Sequence, residues 1–137
     1  MTKSKLAPEL FRVCDANLNR LKEGIRVVED IMRYRDNNKE LSTKLKKLRH
    51  SAKIDENLEL LLYRDSINDV LRPSVASELE RSGVESILRA NFKRAQESSR
   101  VLEELFKLHN NLYSENFKHI RYELYDLEKT ILIQEMQ

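Results

Sequence analysis

Two stretches of this chain repeat the same polar side chains at the same spacing. Residues 16–33 read ANLNRLKEGIRVVEDIMR and residues 90–107 read ANFKRAQESSRVLEELFK, so that seven of the eighteen aligned pairs are identical. Average residue usage would give roughly one match in such a window. The identical polar pairs are Asn17 with Asn91, Arg20 with Arg94, Glu23 with Glu97, Arg26 with Arg100 and Glu29 with Glu103. This recurrence of amide, guanidinium and carboxylate groups predicts a repeated binding site.

The helical positions of these residues indicate what they could bind. At ~100° per residue, Asn17 lies in the middle of the apolar face of its helix. Gly24 lies close beside Asn17, and Arg20 lies at the border of the same face. In the second stretch, Asn91 and Ser98 take the places of Asn17 and Gly24. An inward amide next to a small residue, with a guanidinium at the rim, is the chemistry of an anion or phosphate pocket.

Each of these residues, taken singly, also has a purely structural explanation. A buried Asn can fix helix register, small residues let helices approach, and Arg and Glu at i, i+3 often form solvated ion pairs. The recurrence of the whole set at fixed spacing favours a site. The segments KLKKLRH (44–50) and NFKHIRY (116–122) also align, and they add Arg49 and Arg121 to the candidate ligands.

Four long segments carry apolar residues at the 3/4 spacing of amphipathic helices. They predict helices over about residues 8–35, 38–62, 84–108 and 113–135. Asn37 is placed to cap the second helix, with Glu40 three residues later as in a capping box. Leu58, Leu61 and Leu62 continue the apolar stripe of that helix.

The arrangement of these helices predicts an all-α fold, a single domain over residues 1–137. Two duplicated helical hairpins, about residues 8–62 and 84–135, would form a four-helix bundle joined by a connector over residues 63–83. Within the connector, Pro73, the potential cap Ser74 and Gly83 predict a short helix over about residues 74–82.

Composition excludes several classes of function. The 25 basic and 23 acidic residues leave a net charge of only +2, which argues against nucleic acid as the main partner. No apolar run approaches the ~20 residues of a membrane span, and the start MTKSKLAPE has no signal-peptide core. The single cysteine, Cys14, lies on the core stripe and cannot form an internal disulfide. The expected location is therefore the cytoplasm.

Familiar motifs for nucleotides and metals do not occur in the sequence. It contains no Gly-rich phosphate loop, no CxxC and no HExxH, and its three histidines lack metal-ligand spacing. Asp65 and Asp69 lie four residues apart beside Arg64. These two carboxylates can either hold Mg²⁺ or act as turn and cap residues, and the sequence leaves both interpretations open.

Five strings together resemble a small all-helical domain of thiamine biosynthesis, which occurs alone or N-terminal to thiamine phosphate synthase. They are DANLNRLKEGIRVVEDIMRY, LKKLRH, YRDSINDV, ANFKRAQESSRVLEELFK and FKHIRYELYDLEK, and the resemblance covers about residues 10–132. It implies hydroxymethylpyrimidine phosphate kinase activity, in which ATP converts the pyrimidine monophosphate to the diphosphate. ATP and Mg²⁺ are then the expected cofactors, and thiamine phosphate synthase is an expected partner.

The resemblance also suggests roles for the candidate residues, although it assigns no catalytic group. Phosphoryl transfer mostly requires charge neutralisation and alignment. The expected phosphate ligands are Arg20, Arg49, Arg94 and Arg121, the residues expected to orient the pyrimidine or phosphate are Asn17 and Asn91, and the expected sources of Mg²⁺ oxygens are Glu23, Glu97, Asp65 and Asp69. Arg26 and Arg100 complete the set of candidate binding residues.

The alternative function is a non-catalytic ligand-binding or scaffolding partner of thiamine phosphate synthase, and a helical adaptor without a small ligand comes third. The non-catalytic partner is supported by the absence of a nucleotide motif and by a connector that departs from the family pattern. Where the family has DVG, this chain has Asp69-Val70 followed by Leu71. The sequence leaves open which half binds which ligand, and whether the site lies within one bundle or between the copies of a homodimer.

Overall fold

The computed structural model describes residues 5–75 and 78–137. Within these ranges the chain forms five α-helices and no β-strand, so the predicted all-α class is confirmed. The helices are α1 (Pro8–Asp30), α2 (Lys39–Ser51), α3 (Asn57–Leu62), α4 (Val84–Phe106) and α5 (Asn111–Met136). None of the helices in the described ranges combines the length and apolar character needed to cross a bilayer.

Helix α1 begins and ends close to the predicted positions. Pro8 occupies its first turn, where a missing N–H costs nothing. After Asp30 the chain continues as a π-helical turn, Ile31–Arg35. Asn37 then adopts a left-handed conformation with φ 51°, and the side chain of Asn38 accepts a hydrogen bond from the Leu41 N–H at 3.0 Å. The cap of α2 is therefore Asn38, and the assignment of that role to Asn37 was wrong.

The second predicted helix is interrupted after Ser51. Ala52 and Ile54 are both buried, at 0% and 3% exposure, and a spacing of two residues does not fall on one face of a helix. The chain therefore turns and starts again as the six-residue helix α3. Within α3, Leu60 is buried. The leucines expected on the apolar stripe, Leu58, Leu61 and Leu62, are instead 62–65% exposed, so that part of the prediction was wrong.

Helices α4 and α5 follow the sequence pattern closely. The Ser86 hydroxyl accepts a hydrogen bond from the Gly83 N–H at 3.3 Å at the start of α4. The Asn110 side chain accepts from the N–H groups of Leu112 and Tyr113 at the start of α5. The predicted seam of α5 is buried at Phe117, Ile120, Leu124, Leu127 and Ile131.

The short connector helix predicted over residues 74–82 is not found in the residues that can be examined. Residues 74, 75 and 79–82 are not helical, Glu78 has a 3₁₀ conformation, and residues 76 and 77 lie outside the described ranges. Val75 and Leu79 are 55% and 73% exposed. A short amphipathic helix needs a core surface against which to bury its apolar face, and these two side chains have none.

The core lies mainly between α1, α4 and α5. Helix α1 packs along α4, α4 packs along α5, and α2 packs against α1. The closest approach is at Gly24, where an added Cβ would lie 2.9 Å from the Asn91 carbonyl oxygen and 3.3 Å from the Ala95 Cβ. The absence of a side chain at Gly24 therefore sets the distance between α1 and α4.

Candidate functional site

A groove runs between α1, α4 and the connector. It consists of two adjoining cavities of about 600 Å³ and about 750 Å³. Both are lined by Asn17, Arg20, Glu23 and Asp69, which makes them parts of one depression. We call this depression the α1–α4 groove. Each of the two cavities has the size of a small-molecule site.

Four repeated residues line the groove together. Arg20 and Glu23 come from α1, and Arg94 and Glu97 come from α4. Residues three apart on a helix share a face, which explains why each Arg lies beside its Glu. All four side chains are exposed, and none makes a hydrogen bond or an ion pair with another residue of the described chain. The Arg–Glu ion pairs expected of a solvated ladder do not form here, so both guanidinium groups are available to an anion.

The repeated asparagines make the same local bond in different surroundings. Asn17 Nδ2 donates to the Val13 carbonyl at 2.9 Å, and Asn91 Nδ2 donates to the Ile87 carbonyl at 2.8 Å. Both residues are 7% exposed. Asn17 lines the groove, whereas the Asn91 carbonyl faces Gly24 at the helix contact. Only the amide of Asn17 is therefore placed beside the groove arginines.

The connector wall of the groove is attached to α1 by an ion pair that the sequence analysis did not include. Arg64 Nε and Nη2 donate to the two Asp15 carboxylate oxygens at 2.6 Å and 2.7 Å. Asp15 is 5% exposed, and its hydrogen bonds raise the pKa of the Arg64 guanidinium. Asp15 was missed because its counterpart in the repeat is Arg89. Its place beside Cys14 on the inward face was a usable signal, since a buried carboxylate needs a cationic partner.

Lys93 is a second groove residue that the sequence analysis missed. It lines the groove next to Arg94 and is exposed. Its counterpart in the first stretch is Asn19, so a search for repeated residues passes over it. With Lys93 included, α4 contributes two cations to the groove.

The two candidate magnesium ligands act as turn residues in this structure. The Asp65 carboxylate accepts from the Asn68 N–H at 3.1 Å and from Asn68 Nδ2 at 2.7 Å, and these bonds lower the pKa of Asp65. Asp69 accepts from the Leu71 N–H at 3.0 Å. In the ranges 5–75 and 78–137, no three His, Cys, Asp or Glu side chains are grouped so that they could hold a metal. Magnesium binding at Asp65 and Asp69 stays a prediction.

Arg49 and Arg121 lie outside the groove, in buried ion pairs. Arg49 Nε donates to Glu29 Oε1 at 2.7 Å, and Arg121 Nη2 donates to Glu103 Oε1 at 2.9 Å. Glu29 and Glu103 are 1% and 4% exposed. Each pair joins the two helices of one hairpin, α1 with α2 and α4 with α5. Glu29 and Glu103 therefore have structural partners, and the structure does not bring Arg49 and Arg121 together with the candidate residues of the groove.

Arg26 and Arg100 also lie away from the groove, on the exposed helix surface. Arg26 pairs with Asp30 at 3.2 Å, and Arg100 pairs with Glu103 at 2.9 Å and with Glu104 at 3.0 Å. These contacts have the i, i+3 and i, i+4 spacing of ion pairs within one helix. The structure thus separates the repeated arginines into an unpaired set in the groove and paired sets elsewhere.

Cys14 is a core residue, as its position on the apolar stripe predicts. It is 0% exposed. Burial, and then the negative charge of Glu56, raise the pKa of the Cys14 thiol to about 12. A thiol in that state is neutral and inaccessible, so it is not a nucleophile.

Comparisons with known proteins agree on the family of this chain. The profile of the ThiD2 family matches residues 12–130. The chain is 35% identical over 131 residues to a thiamine-phosphate synthase of Nostoc punctiforme, covering 95% of the chain and 37% of that protein. It is 39% identical over 124 residues to a thiamine-phosphate synthase of a Synechocystis species, covering 90% of the chain and 36% of that protein. No solved structure matches the chain.

These comparisons correct the prediction that the chain is a hydroxymethylpyrimidine phosphate kinase. The relatives, including one from Thermosynechococcus vestitus at 36% identity, are named thiamine-phosphate synthase and not kinase. The chain spans little more than a third of the length of these relatives. The relationship to thiamine-phosphate synthase is closer to the alternative function than to the kinase.

Proposed function

The chain belongs to the ThiD2 family, and we propose that it serves thiamine biosynthesis as a ligand-binding partner domain of thiamine-phosphate synthase. The names of its relatives support the pathway. Their length supports the role of a domain, because the region similar to this chain occupies little more than a third of each polypeptide. The volume of the α1–α4 groove and its arginines, which are unpaired in the described part of the chain, support the binding of a small ligand.

The observation that carries the ligand proposal is the pair of unpartnered arginines. Arg20 and Arg94 line one groove, and neither guanidinium has a partner among the described residues. Exposed arginines elsewhere on α1 and α4, such as Arg26 and Arg100, are paired with carboxylates. A planar guanidinium fork matches the geometry of a phosphate oxygen pair. We therefore expect the ligand to carry a phosphate.

The remaining groove residues fit a phosphorylated aminopyrimidine. Glu23, Glu97 and Asp69 place carboxylates in the same groove as the arginines. A carboxylate accepts hydrogen bonds and repels an isolated phosphate, so the ligand should also carry donors. Hydroxymethylpyrimidine phosphate has an amino group as well as a phosphate, and it is the proposed ligand. The binding of ATP and of Mg²⁺ stays a prediction.

The proposal is tested by titrating the purified chain with hydroxymethylpyrimidine phosphate in a calorimeter. Arg20→Ala and Arg94→Ala should each weaken binding by roughly 10- to 150-fold, because a charge-assisted contact contributes about 1.5–3 kcal/mol. Arg20→Lys and Arg94→Lys should also weaken binding, since Lys keeps the charge and loses the fork. Circular dichroism should show that all four variants keep the fold.

Arg26→Ala is the matched control, because Arg26 is an exposed arginine of α1 that lies outside the groove. It should leave the affinity unchanged. An equal loss of affinity in Arg26→Ala would show a general charge effect and contradict the site. The ligand assignment is wrong if the folded wild-type chain binds no hydroxymethylpyrimidine phosphate and the ligand does not raise its melting temperature.

A further inference from the structure

The segment that contains α3 and the first part of the connector exposes an unusual number of large apolar side chains. Nine of them, between 39% and 91% exposed, fall within positions 58–79. They are Leu58, Leu61, Leu62, Tyr63, Ile67, Val70, Leu71, Val75 and Leu79, and we call this set of side chains the connector face. Single exposed apolar residues are normal on a protein surface, whereas a concentration of them marks an interaction site.

The connector face is held in place at its centre. Leu60 anchors α3 in the core, and the Tyr63 ring stacks on the buried Phe11 ring with 6.2 Å between centroids. The bidentate bond from Arg64 to Asp15 attaches the chain immediately after Tyr63. The exposed leucines of α3 therefore point to solvent from an anchored backbone, which lowers the entropy that binding must overcome.

The charges around the connector face suit a second copy of the same chain. Arg72 and Glu78 flank the apolar residues, both are exposed, and neither is paired with a described residue. A two-fold interface brings the same patch of two molecules together, so it needs both signs of charge within one patch. A patch with unpaired cation and anion at its rim meets that requirement.

The connector face also borders the α1–α4 groove. Asp69, Val70 and Leu71 form the connector wall of the groove, and Arg94 lines the same cavity from α4. Val70 and Leu71 are 91% and 82% exposed. A molecule that covers these two side chains would also lie over the mouth of the groove and keep water from the ligand.

We infer that two copies of this chain associate through their connector faces and that each copy closes the groove of the other. The association follows from the surface and is independent of the ligand. Closure of the groove rests on the proposed function, because it concerns the same site.

The association is tested by sedimentation equilibrium of the full chain between about 1 and 200 μM. We expect the mass to approach twice 16.3 kDa as concentration rises. Leu61→Glu and Leu62→Glu should raise the dissociation constant at least 100-fold, because each substitution places two charges in an apolar two-fold interface. Neither leucine lines the groove.

Tyr34→Glu is the matched control, since Tyr34 is 65% exposed and lies just past the C-terminal end of α1, whereas Phe11, on which Tyr63 of the connector face stacks, lies near the start of that helix. It should leave the dimer intact, and circular dichroism should show that all three variants fold. A monomer at every concentration overturns the inference, and so does a dimer that survives in both Leu61→Glu and Leu62→Glu. A wild-type monomer that instead binds a full-length thiamine-phosphate synthase through these leucines overturns the second copy as the occupant.

Groove closure is tested by ligand affinity in the same variants. Leu61→Glu should weaken binding of hydroxymethylpyrimidine phosphate at least 5-fold, although its side chain does not line the groove, and Tyr34→Glu should not. Equal affinity in dimeric wild type and monomeric Leu61→Glu overturns closure and leaves the association standing. Absence of ligand binding in a wild-type dimer contradicts the proposed function and not the association.

Discussion

Two faces of the same helix pair use repeated glutamates in opposite ways. On one face, Glu29 of α1 and Glu103 of α4 are buried and bonded to arginines of α2 and α5. On the other face, Glu23 and Glu97 are exposed in the groove and have no partner among the described residues. The difference teaches that a repeat of polar residues preserves packing and surface chemistry together. Whether a repeated residue serves packing or surface chemistry is shown by the residues that it bonds, and not by its recurrence.

The two faces should therefore respond differently to mutation. A buried carboxylate with a bonded arginine is part of the fold, and its removal leaves a charge uncompensated. An exposed and unpaired side chain contributes little to stability, so its removal changes only what the surface binds. Stability measurements on matched variants of both faces separate these roles.

The largest effect is expected on the buried face. Glu29→Ala should lower the free energy of unfolding by about 3–5 kcal/mol, because it leaves Arg49 without its bonded carboxylate in a largely buried position. Glu23→Ala is the matched control, and it should stay within about 0.5 kcal/mol of wild type. Urea unfolding measures both values. A similar loss of unfolding free energy in Glu29→Ala and Glu23→Ala would contradict the assignment of different roles to the two faces.

A double replacement sharpens the same comparison. Glu29→Leu combined with Arg49→Met removes both charges of the buried pair at once. This variant should be more stable than Glu29→Ala, since an apolar pair of similar volume avoids the uncompensated charge. A double variant as unstable as the single one would mean that packing of the Glu29 side chain, and not its charge, holds the helices.

An intermediate effect on stability is expected at Gly24, where α1 and α4 approach each other most closely. Gly24→Ala should destabilise the chain by about 1–3 kcal/mol, because the new Cβ meets backbone that cannot move aside cheaply. The atom it meets is the Asn91 carbonyl oxygen, at 2.9 Å. Gly83→Ala is the control, since an added Cβ there has nothing within 4 Å. A Gly24→Ala variant as stable as wild type would show that α1 and α4 can separate without cost.

The smallest effect is expected at an exposed ion pair. Arg35 bonds the Glu135 carboxylate at 2.6 Å and the Asp36 carboxylate at 2.7 Å, and it lowers the pKa of both. Carboxylates with a lowered pKa stabilise the fold above their ordinary pKa, and this contribution is lost as the pH falls through the lowered value. Arg35→Met should therefore cost about 0.2–1 kcal/mol at pH 7.

The pH dependence provides the check on this last prediction. The difference between wild type and Arg35→Met, measured by urea unfolding, should shrink as the pH falls below about 4. The Glu29→Ala variant provides the contrast, because its loss at pH 7 should be several times larger. A loss in Arg35→Met that does not change between pH 7 and pH 3 would contradict the ion-pair explanation.

Much of the fold could be predicted from the sequence because local signals were strong. Helices α1, α4 and α5 have regular apolar stripes and recognisable ends, and their predicted bounds agree with the structure within a few residues. The second helix was predicted too long because a leucine pattern continues past Ser51. The buried pair Ala52 and Ile54 ends that helix, and burial at that spacing is decided by packing against other elements.

The candidate site could be predicted only in part. The repeat brought Arg20, Glu23, Arg94 and Glu97 to attention, and the structure places them in one groove. It could not distinguish them from Arg49 and Arg121, because the burial of those two depends on where α2 and α5 pack. The bond from Arg64 to Asp15 joins residues 49 positions apart, and no local spacing predicts such a contact.

The pairing of α1 with α4 has a consequence for synthesis on the ribosome. Helix α1 packs along α4 more extensively than along its sequence neighbour α2, yet α4 ends 76 residues after α1. At about 5–20 residues per second, roughly 4–15 s separate the translation of these two helix ends. During that interval the apolar face of α1, which includes Leu21, Ile25 and Val28, lacks its packing against α4. We therefore expect the nascent chain to need protection from aggregation, such as a holding chaperone gives, until its second half is made.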